Sequence, residues 1–305
     1  MSRPDAGGGP ARPPRARGIA LALASAAGFS TLGVLAKLVY AEGFSTAQAL
    51  AWRFTIAAAI LWALIGLGPR LGAARRPPLG PRLKSVLLLG LVGFAPQAGL
   101  YFVTLRILDP GITSLLLYLY PSFVILLSLL LFKRVPNRMQ VLSLGLSLAG
   151  CAVTFFKPGS YPLLGLALGA LLAAAYGAYL VAGERVLAGL DSARATAVIM
   201  LESAAVYWIA AAATGPLRLP STLPAAAGIL GIALFATVLP ITTLFGAMRA
   251  IGAADASLVS TVEPVLTVAL SAAVLGERLG PAQALGGALI LAAVLVLRFA
   301  PAKSG

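Results

Sequence analysis

Ten stretches of about 20 apolar residues follow one another along this chain, separated by short segments rich in proline, glycine and charge. A helix needs about 20 residues to cross a hydrocarbon core of about 30 Å. The pattern therefore predicts an all-α membrane protein with ten transmembrane helices. The predicted spans are residues 18–40, 45–68, 83–105, 111–132, 138–156, 161–182, 192–214, 223–248, 256–275 and 281–299.

Composition excludes a soluble globular domain. Hydrophobic residues make up 60% of the chain and charged residues only 10%, whereas a soluble domain carries about 25% charged residues. The connections between the apolar stretches are too short to hold a soluble domain. Residues 1–17 are rich in glycine, proline and arginine, and we predict that they form a disordered cytoplasmic tail.

The basic residues predict the orientation in the membrane, because cytoplasmic loops carry an excess of lysine and arginine. With the N-terminus inside, Arg53 lies within a span and 17 of the 23 basic residues lie on the inner side. Both termini are therefore predicted to be cytoplasmic, in a multi-pass protein of a bacterial inner membrane. The net charge of +14 then sets topology and does not indicate a nucleic-acid partner. The outer side holds only Lys37, Arg106, Lys157, Arg218 and Arg278.

The two halves of the sequence resemble each other. At an offset of 143 residues, several identical residues coincide: Arg106 and Arg249, Ser114 and Ser257, Pro121 and Pro264, Gln140 and Gln283. Residues 18–157 and 158–300 are thus predicted to form two repeats of five spans. Because five is odd, the second repeat enters the membrane from the opposite side, an arrangement typical of secondary transporters with a binding site near the midplane.

Specific motifs resemble the drug/metabolite transporter superfamily, in particular proteins with two EamA-type domains. The most similar stretch, residues 254–287, contains Glu263-Pro264-Val265 and Leu275-Gly276-Glu277-Arg278. The first half matches through Ala51-Trp52-Arg53 and Tyr120-Pro121 but ends its fourth span in Phe132-Lys133-Arg134, where the family has a Gly-Glu pair. The resemblance implies ten helices in a basket, a central cavity lined by helices 1, 3, 4, 6, 8 and 9, and alternating access. Family members export amino acids and other metabolites or carry sugar phosphates and nucleotide sugars.

Charged side chains within a span are costly, by about 2.5–3.5 kcal/mol on insertion scales, and are therefore functional candidates. Three qualify: Arg53, Glu202 and Glu263. Glu263 shares a helical face with Ser260 and Thr267, so it is a candidate proton site or substrate contact, with a structural carboxylate as the alternative. For Arg53 and Glu202 a structural or snorkelling role is favoured, since the family geometry places their helices at the periphery.

Polar and aromatic residues near the middle of the predicted cavity helices are the other candidates. A buried tyrosine hydroxyl needs a partner, which a ligand or cavity water provides. With Glu263, the predicted substrate-binding residues are Phe29, Ser30, Gln97, Tyr101, Tyr118, Tyr176 and Tyr179. Two midspan prolines at corresponding positions, Pro121 and Pro264, predict gating kinks. Pro96 and Pro240 form a second such pair.

The remaining chemistry favours transport of a small neutral or zwitterionic metabolite such as an amino acid. The chain has no histidine, no phosphate-binding glycine loop and no midspan cluster of basic residues, so we expect no metal, cofactor or phosphorylated cargo. We predict an exporter that works as a monomer and is not an enzyme. A lipid flippase and a membrane-embedded lipid-modifying enzyme are the alternatives, although enzyme chemistry needs convergent acids, bases or metal ligands.

Overall fold

The computed structural model describes residues 15–71, 78–133, 135–154, 161–251, 256, 259, 260, 262–278 and 280–297. Helices dominate these residues, and no strand occurs among them. The first half holds α1 (Arg15–Ala41), α2 (Thr46–Leu67) and α3 (Gly80–Thr104). It continues with α4, which has two parts, Pro110–Leu117 and Tyr120–Phe132, and with α5 (Arg138–Thr154).

The second half repeats this order. It holds α6 (Leu163–Val186), α7 (Ser192–Thr214) and α8, which runs through Leu223–Ala233, Leu234–Val238 and Leu239–Ile251. Two shorter helices follow, α9 (Glu263–Leu275) and α10 (Pro281–Leu297). The first helix begins at Arg15, so residues 15–17, predicted to lie in the tail, are helical; residues 1–14 lie outside the described part.

A helical segment is present at each of the ten predicted stretches, and seven segments are both long and apolar enough to cross a membrane. The other three, α5, α9 and α10, have at most 17 residues within the described part. Large apolar side chains cover the outer surface, among them Leu88, Leu130 and Ile209, each more than 60% exposed. Such a surface is compatible with lipid and not with water. The chain is therefore a multi-pass membrane protein, and ten spans remain the prediction.

The packing of the helices shows the repeat. In the first half, α1 packs against α8 and α9; in the second half, α6 packs against α3 and α4. The corresponding helices α2 and α7 pack against each other, as do α5 and α10. If each helix is exchanged for the corresponding helix of the other half (α1 for α6, α2 for α7 and so on), the contacts of one half become those of the other. This is the packing expected of two related halves.

The α2–α7 contact forms the centre of the core. Trp52 and Trp208 meet edge to face with ring centroids 5.1 Å apart, a favoured aromatic geometry. The Trp208 indole N–H donates to Thr55 Oγ1 at 2.8 Å. Phe54, which is fully buried, packs against Tyr207 at 5.9 Å. These contacts join one half of the chain to the other.

Two π-helical turns interrupt α3 and α8 at corresponding places. They are Leu89–Phe94 and Leu234–Val238. Each ends two residues before a proline, Pro96 or Pro240. A proline removes one backbone donor and its ring collides with the carbonyl four residues earlier, and a widened turn relieves this collision. The second predicted proline pair thus coincides with two π-turns.

Pro121 and Pro264 lie at breaks in their helices. The turn Tyr118–Leu119 separates the two parts of α4, and Pro121 is in the first turn of the second part. Pro264 is likewise in the first turn of α9. Proline is tolerated in a first turn because its missing N–H would have no helical partner there. At both predicted kinks the helix is therefore interrupted, and a new helical segment begins inside the bundle.

Candidate functional site

A cavity of about 370 Å³ lies between the two halves of the chain. The first half contributes residues of α1, α2, α3 and α4, and the second half residues of α6, α7, α8 and α9. This set contains all six helices that the family resemblance implies, and adds α2 and α7. Small-molecule sites occupy about 300–1,000 Å³, so the volume suits one small metabolite.

Six of the eight predicted substrate-binding residues line this cavity: Phe29, Gln97, Tyr101, Tyr176, Tyr179 and Glu263. Ser30 does not line it, and its hydroxyl donates to the Ala27 carbonyl at 2.7 Å within α1. Tyr118 lies behind the lining and contacts it through Glu263. Whether the six bind substrate stays a prediction.

Glu263 is the acidic group of the lining, at the first residue of α9. The Tyr118 hydroxyl, 7% exposed, lies 3.2 Å from Glu263 Oε2 and 3.2 Å from the Ser260 carbonyl oxygen and donates to both. A carboxylate is also favoured at a helix N-terminus, where the backbone N–H groups carry partial positive charge. The carboxylate is thus fixed in position at the cavity wall.

Arg53 also lines the cavity, so its predicted peripheral position and snorkelling role are wrong, whereas a structural role, the other predicted option, is not contradicted. It is only 6% exposed, and its Nε donates to Thr237 Oγ1 at 2.9 Å, in the π-turn of α8. Its guanidinium carbon lies 5.0 Å from the Phe54 ring centroid and 5.5 Å from that of Phe102. Because α2 packs between α7 and α8, its midpoint is inside the bundle and not at the lipid surface.

Glu202 lies against the other π-turn. A Cβ at Gly90, within Leu89–Phe94, would collide with the Glu202 carboxylate, so glycine lets the two helices approach. Glu202 Oε2 is shielded and has no hydrogen-bond partner among the described residues. Glu202 itself is not part of the cavity lining, although its neighbours Ile199 and Met200 are.

Aromatic rings form a continuous row that begins behind the lining and joins the cavity wall at Tyr176, Tyr179 and Phe94. Tyr118 contacts Tyr120 at 6.0 Å, Tyr120 contacts Tyr176 at 4.9 Å, and Tyr176 stacks on Tyr179 at 6.3 Å. Tyr179 meets Phe94 at 5.7 Å. This wall presents apolar faces with hydroxyl groups at intervals, which suits an apolar cargo that carries some polar groups.

Phe94 and Phe245 line the cavity but were not predicted. Their spacing could have identified Phe94, since it lies three residues before Gln97 and thus on the same helical face. Phe245 follows Ile241 and Leu244 at the same spacing on α8. The predicted set consisted of polar residues and tyrosines together with Phe29, and therefore left out these two phenylalanines.

No described residue of the α1–α2, α3–α4 and α7–α8 connections lines the cavity, and hydrogen bonds join these connections at one end of the bundle, here called the clamped end. From the end of α3, Arg106 donates to Thr46 Oγ1 at 3.0 Å and to the Phe44 carbonyl at 2.8 Å. Its guanidinium carbon lies 4.1 Å from the Tyr40 ring centroid, and the Tyr40 hydroxyl donates to the Phe102 carbonyl at 2.7 Å.

The second half holds the same connection from the other side. Arg218 Nη1 donates to the Glu42 carbonyl at 3.1 Å, and the Thr222 hydroxyl donates to Glu42 Oε2 at 2.7 Å. Gln48 Nε2 donates to the Pro216 carbonyl at 2.8 Å. The opposite end differs, because the lining there includes Ser192, an exposed residue at the start of α7. The cavity thus reaches the surface at the end where α6 joins α7.

Among the described residues no group of three or more histidine, cysteine, aspartate or glutamate side chains has the geometry of a metal site.

Comparison with known proteins relates the chain to membrane transporters. The sequence profile of the EamA-like transporter family matches twice, at residues 16–156 and 163–299. The chain is 25% identical over 263 residues to the protein named uncharacterized transporter YyaM from Bacillus subtilis (strain 168), covering 83% of this chain and 84% of that protein. It is 26% identical over 212 residues to uncharacterized transporter sll1319 from Synechocystis sp. (strain ATCC 27184 / PCC 6803 / Kazusa), covering 66% and 62%. One crystal structure, described only as that of a protein, has the same fold, with a TM-score of 0.66 at 20% identity over 93% of this chain and 97% of that one.

Proposed function

The chain belongs to the EamA-like transporter family, and from this premise we propose that it exports amino acids or related small metabolites by alternating access. The observation that carries the proposal is the cavity between the two halves, closed at the clamped end and reaching the surface at the other. Transporters with repeated halves bind their cargo at the interface of the repeats. A cavity open to one side only is the geometry that one state of such a cycle requires.

The proposed topology has ten spans, with the second repeat inverted relative to the first. The distribution of basic residues supports this orientation, with both termini in the cytoplasm. The clamped end then faces outward, since Arg106 and Arg218 are among the few basic residues assigned to that side. On this proposal, the conformation is an inward-facing state in a bacterial inner membrane, from which a cytoplasmic metabolite can load.

The proposed cargo is small and neutral or zwitterionic. The described lining contains one arginine and one glutamate, and aromatic and aliphatic side chains make up most of the rest. A phosphorylated cargo would need several basic groups to balance its charge. The lining therefore supports a metabolite of low net charge. Export and not uptake is proposed on the family resemblance, and we propose that the monomer is the working unit because one chain supplies both repeats.

Purified protein in proteoliposomes tests the proposal. Liposomes are loaded with a mixture of unlabelled amino acids, and entry of a radiolabelled amino acid by exchange is measured against protein-free liposomes. We expect exchange that saturates with concentration. Lipid scrambling without amino-acid exchange would instead assign a flippase, and chemically altered lipid would assign a lipid-modifying enzyme.

A further inference from the structure

The cavity contains two side chains of opposite charge that are not paired with each other. Arg53 on α2 and Glu263 on α9 both line it, and neither forms an ion pair with a described residue; their polar contacts are to Thr237 and Tyr118. An arginine stays charged in a protein. A buried charge without a partner is costly, so a ligand that brings a group of opposite charge to each side chain is favoured.

Each of the two charged groups has a hydrogen bond to a neutral side chain instead of to the other charged group. Arg53 is fixed through Nε, and its two Nη groups have no hydrogen bond to a described residue. Glu263 is fixed by the Tyr118 hydroxyl. Tyr101 lines the same cavity as the two charged groups. A ligand can therefore reach both groups without first breaking an ion pair.

The free side of a guanidinium has the geometry of a carboxylate receptor, because its parallel N–H groups donate to both oxygens. A carboxylate such as that of Glu263 is in turn an acceptor for an ammonium group. The aromatic rings of Phe29, Phe94 and Phe245 in the same lining offer an apolar surface. One cavity thus supplies a carboxylate site, an ammonium site and an apolar site.

We propose that the cargo is a zwitterion of amino-acid type with an apolar or aromatic body. Its carboxylate accepts hydrogen bonds from the Arg53 Nη groups and its ammonium donates to Glu263, while its body lies against the aromatic rings. This inference rests on the proposed transport function and deepens it, since it states which residue binds which end of the cargo. Arg53 and Glu263 are the specificity-determining residues.

Three probes that share a phenyl ring but differ in their charged groups test the two contacts separately. L-phenylalanine carries both charges, phenethylamine only the ammonium and 3-phenylpropanoate only the carboxylate. Inhibition of labelled L-phenylalanine exchange in proteoliposomes gives an apparent affinity for each. Because leaving one buried charge without its partner weakens binding strongly, we expect each single-charge probe to bind the wild type at least about 30-fold more weakly than L-phenylalanine.

The variants should alter this order in opposite ways. In Arg53→Gln, L-phenylalanine should bind no better than phenethylamine; in Glu263→Gln, it should bind no better than 3-phenylpropanoate. A purely structural role would weaken all probes together. Glu202→Gln is the matched control, an embedded carboxylate outside the lining, and should keep the wild-type order. Arg53→Lys keeps the charge and provides a second test if Arg53→Gln does not fold, with carboxylate preference reduced but present.

Failure of this assignment and failure of the proposed function are distinguishable. If wild-type protein exchanges L-phenylalanine but Arg53→Gln and Glu263→Gln keep the wild-type probe order, the charge assignment is overturned and transport stands. If wild-type protein exchanges neither L-phenylalanine nor any amino acid of a standard mixture, both are overturned.

Discussion

Replacing Arg106 with alanine should open the clamped end of the cavity. The change removes the hydrogen bonds to Thr46 Oγ1 and to the Phe44 carbonyl, and the cation–π contact with Tyr40. Because Arg106 is exposed, each hydrogen bond is assigned about 0.5–1 kcal/mol, and the cation–π contact about 0.5–1 kcal/mol. The closed arrangement then loses about 2 kcal/mol relative to the open one. Since 1.4 kcal/mol is a factor of ten, the open population should rise about 30-fold.

Thiol labelling measures this shift. A cysteine is placed at Leu117, which lines the cavity, in a chain whose native cysteine is removed by Cys151→Ser. The rate of modification by a membrane-impermeant maleimide in intact cells then reports access from the outer face. Arg106→Ala should raise this rate about 30-fold, whereas Arg138→Ala, which removes another exposed arginine far from the clamp, should not change it.

The size of the effect also tests the orientation. If Arg106→Ala changed the labelling rate less than twofold in intact cells, the contacts of Arg106 would not hold the cavity closed. An increase seen only in inverted vesicles would keep the clamp but place it at the cytoplasmic face, and would refute the inward-facing assignment.

Three further outcomes are expected. Tyr118→Phe should weaken cargo affinity about fivefold, measured by inhibition of exchange, because one hydrogen bond of about 1 kcal/mol to Glu263 is lost, while Tyr120→Phe, which has no hydrogen bond to that carboxylate, should leave it unchanged. Pro121→Ala and Pro264→Ala should each slow exchange several-fold with binding retained and should bias cavity labelling toward opposite faces; wild-type rates in both would place the gate elsewhere. Cysteines introduced near residue 75 should resist impermeant reagents in intact cells and those near residue 159 should react, and the reverse pattern would invert the topology.

The fold was predictable because a bilayer leaves few choices. In lipid, a helix is the only single segment whose backbone N–H and C=O groups are hydrogen-bonded within the segment itself. Long apolar runs therefore predict helices, and their bounds within a few residues. The breaks were harder to predict. Pro121 and Pro264 were expected to kink continuous helices, whereas both start new helical segments. A proline shows that the helix is disturbed, but surrounding packing decides whether it bends or breaks.

The candidate site was partly predictable for a related reason. Polar and aromatic residues near the middle of the expected cavity helices could be found from the sequence, as Gln97 and Tyr101 were. Arg53 could not be placed in this way, because its access to the cavity depends on how α2 packs between α7 and α8. Ser30 has a suitable position on α1 but uses its hydroxyl within its own helix, a choice that sequence does not reveal.

The π-turns of α3 and α8 determine how a change in the length of these helices affects the cavity lining. Each residue of an α-helix advances the helix by about 100° around its axis, and a π-turn accommodates one extra residue. Both turns precede cavity residues, Gln97 and Tyr101 in α3 and Phe245 in α8. Deleting one residue within Leu89–Phe94 would therefore turn the π-turn into a regular α-helical turn and leave Gln97 and Tyr101 facing the cavity. A deletion in the regular helix after the π-turn, between Gln97 and Tyr101, has no such turn to absorb it and would rotate Tyr101 by about 100° relative to Gln97, so the same loss of one residue changes the lining at one place and not at the other.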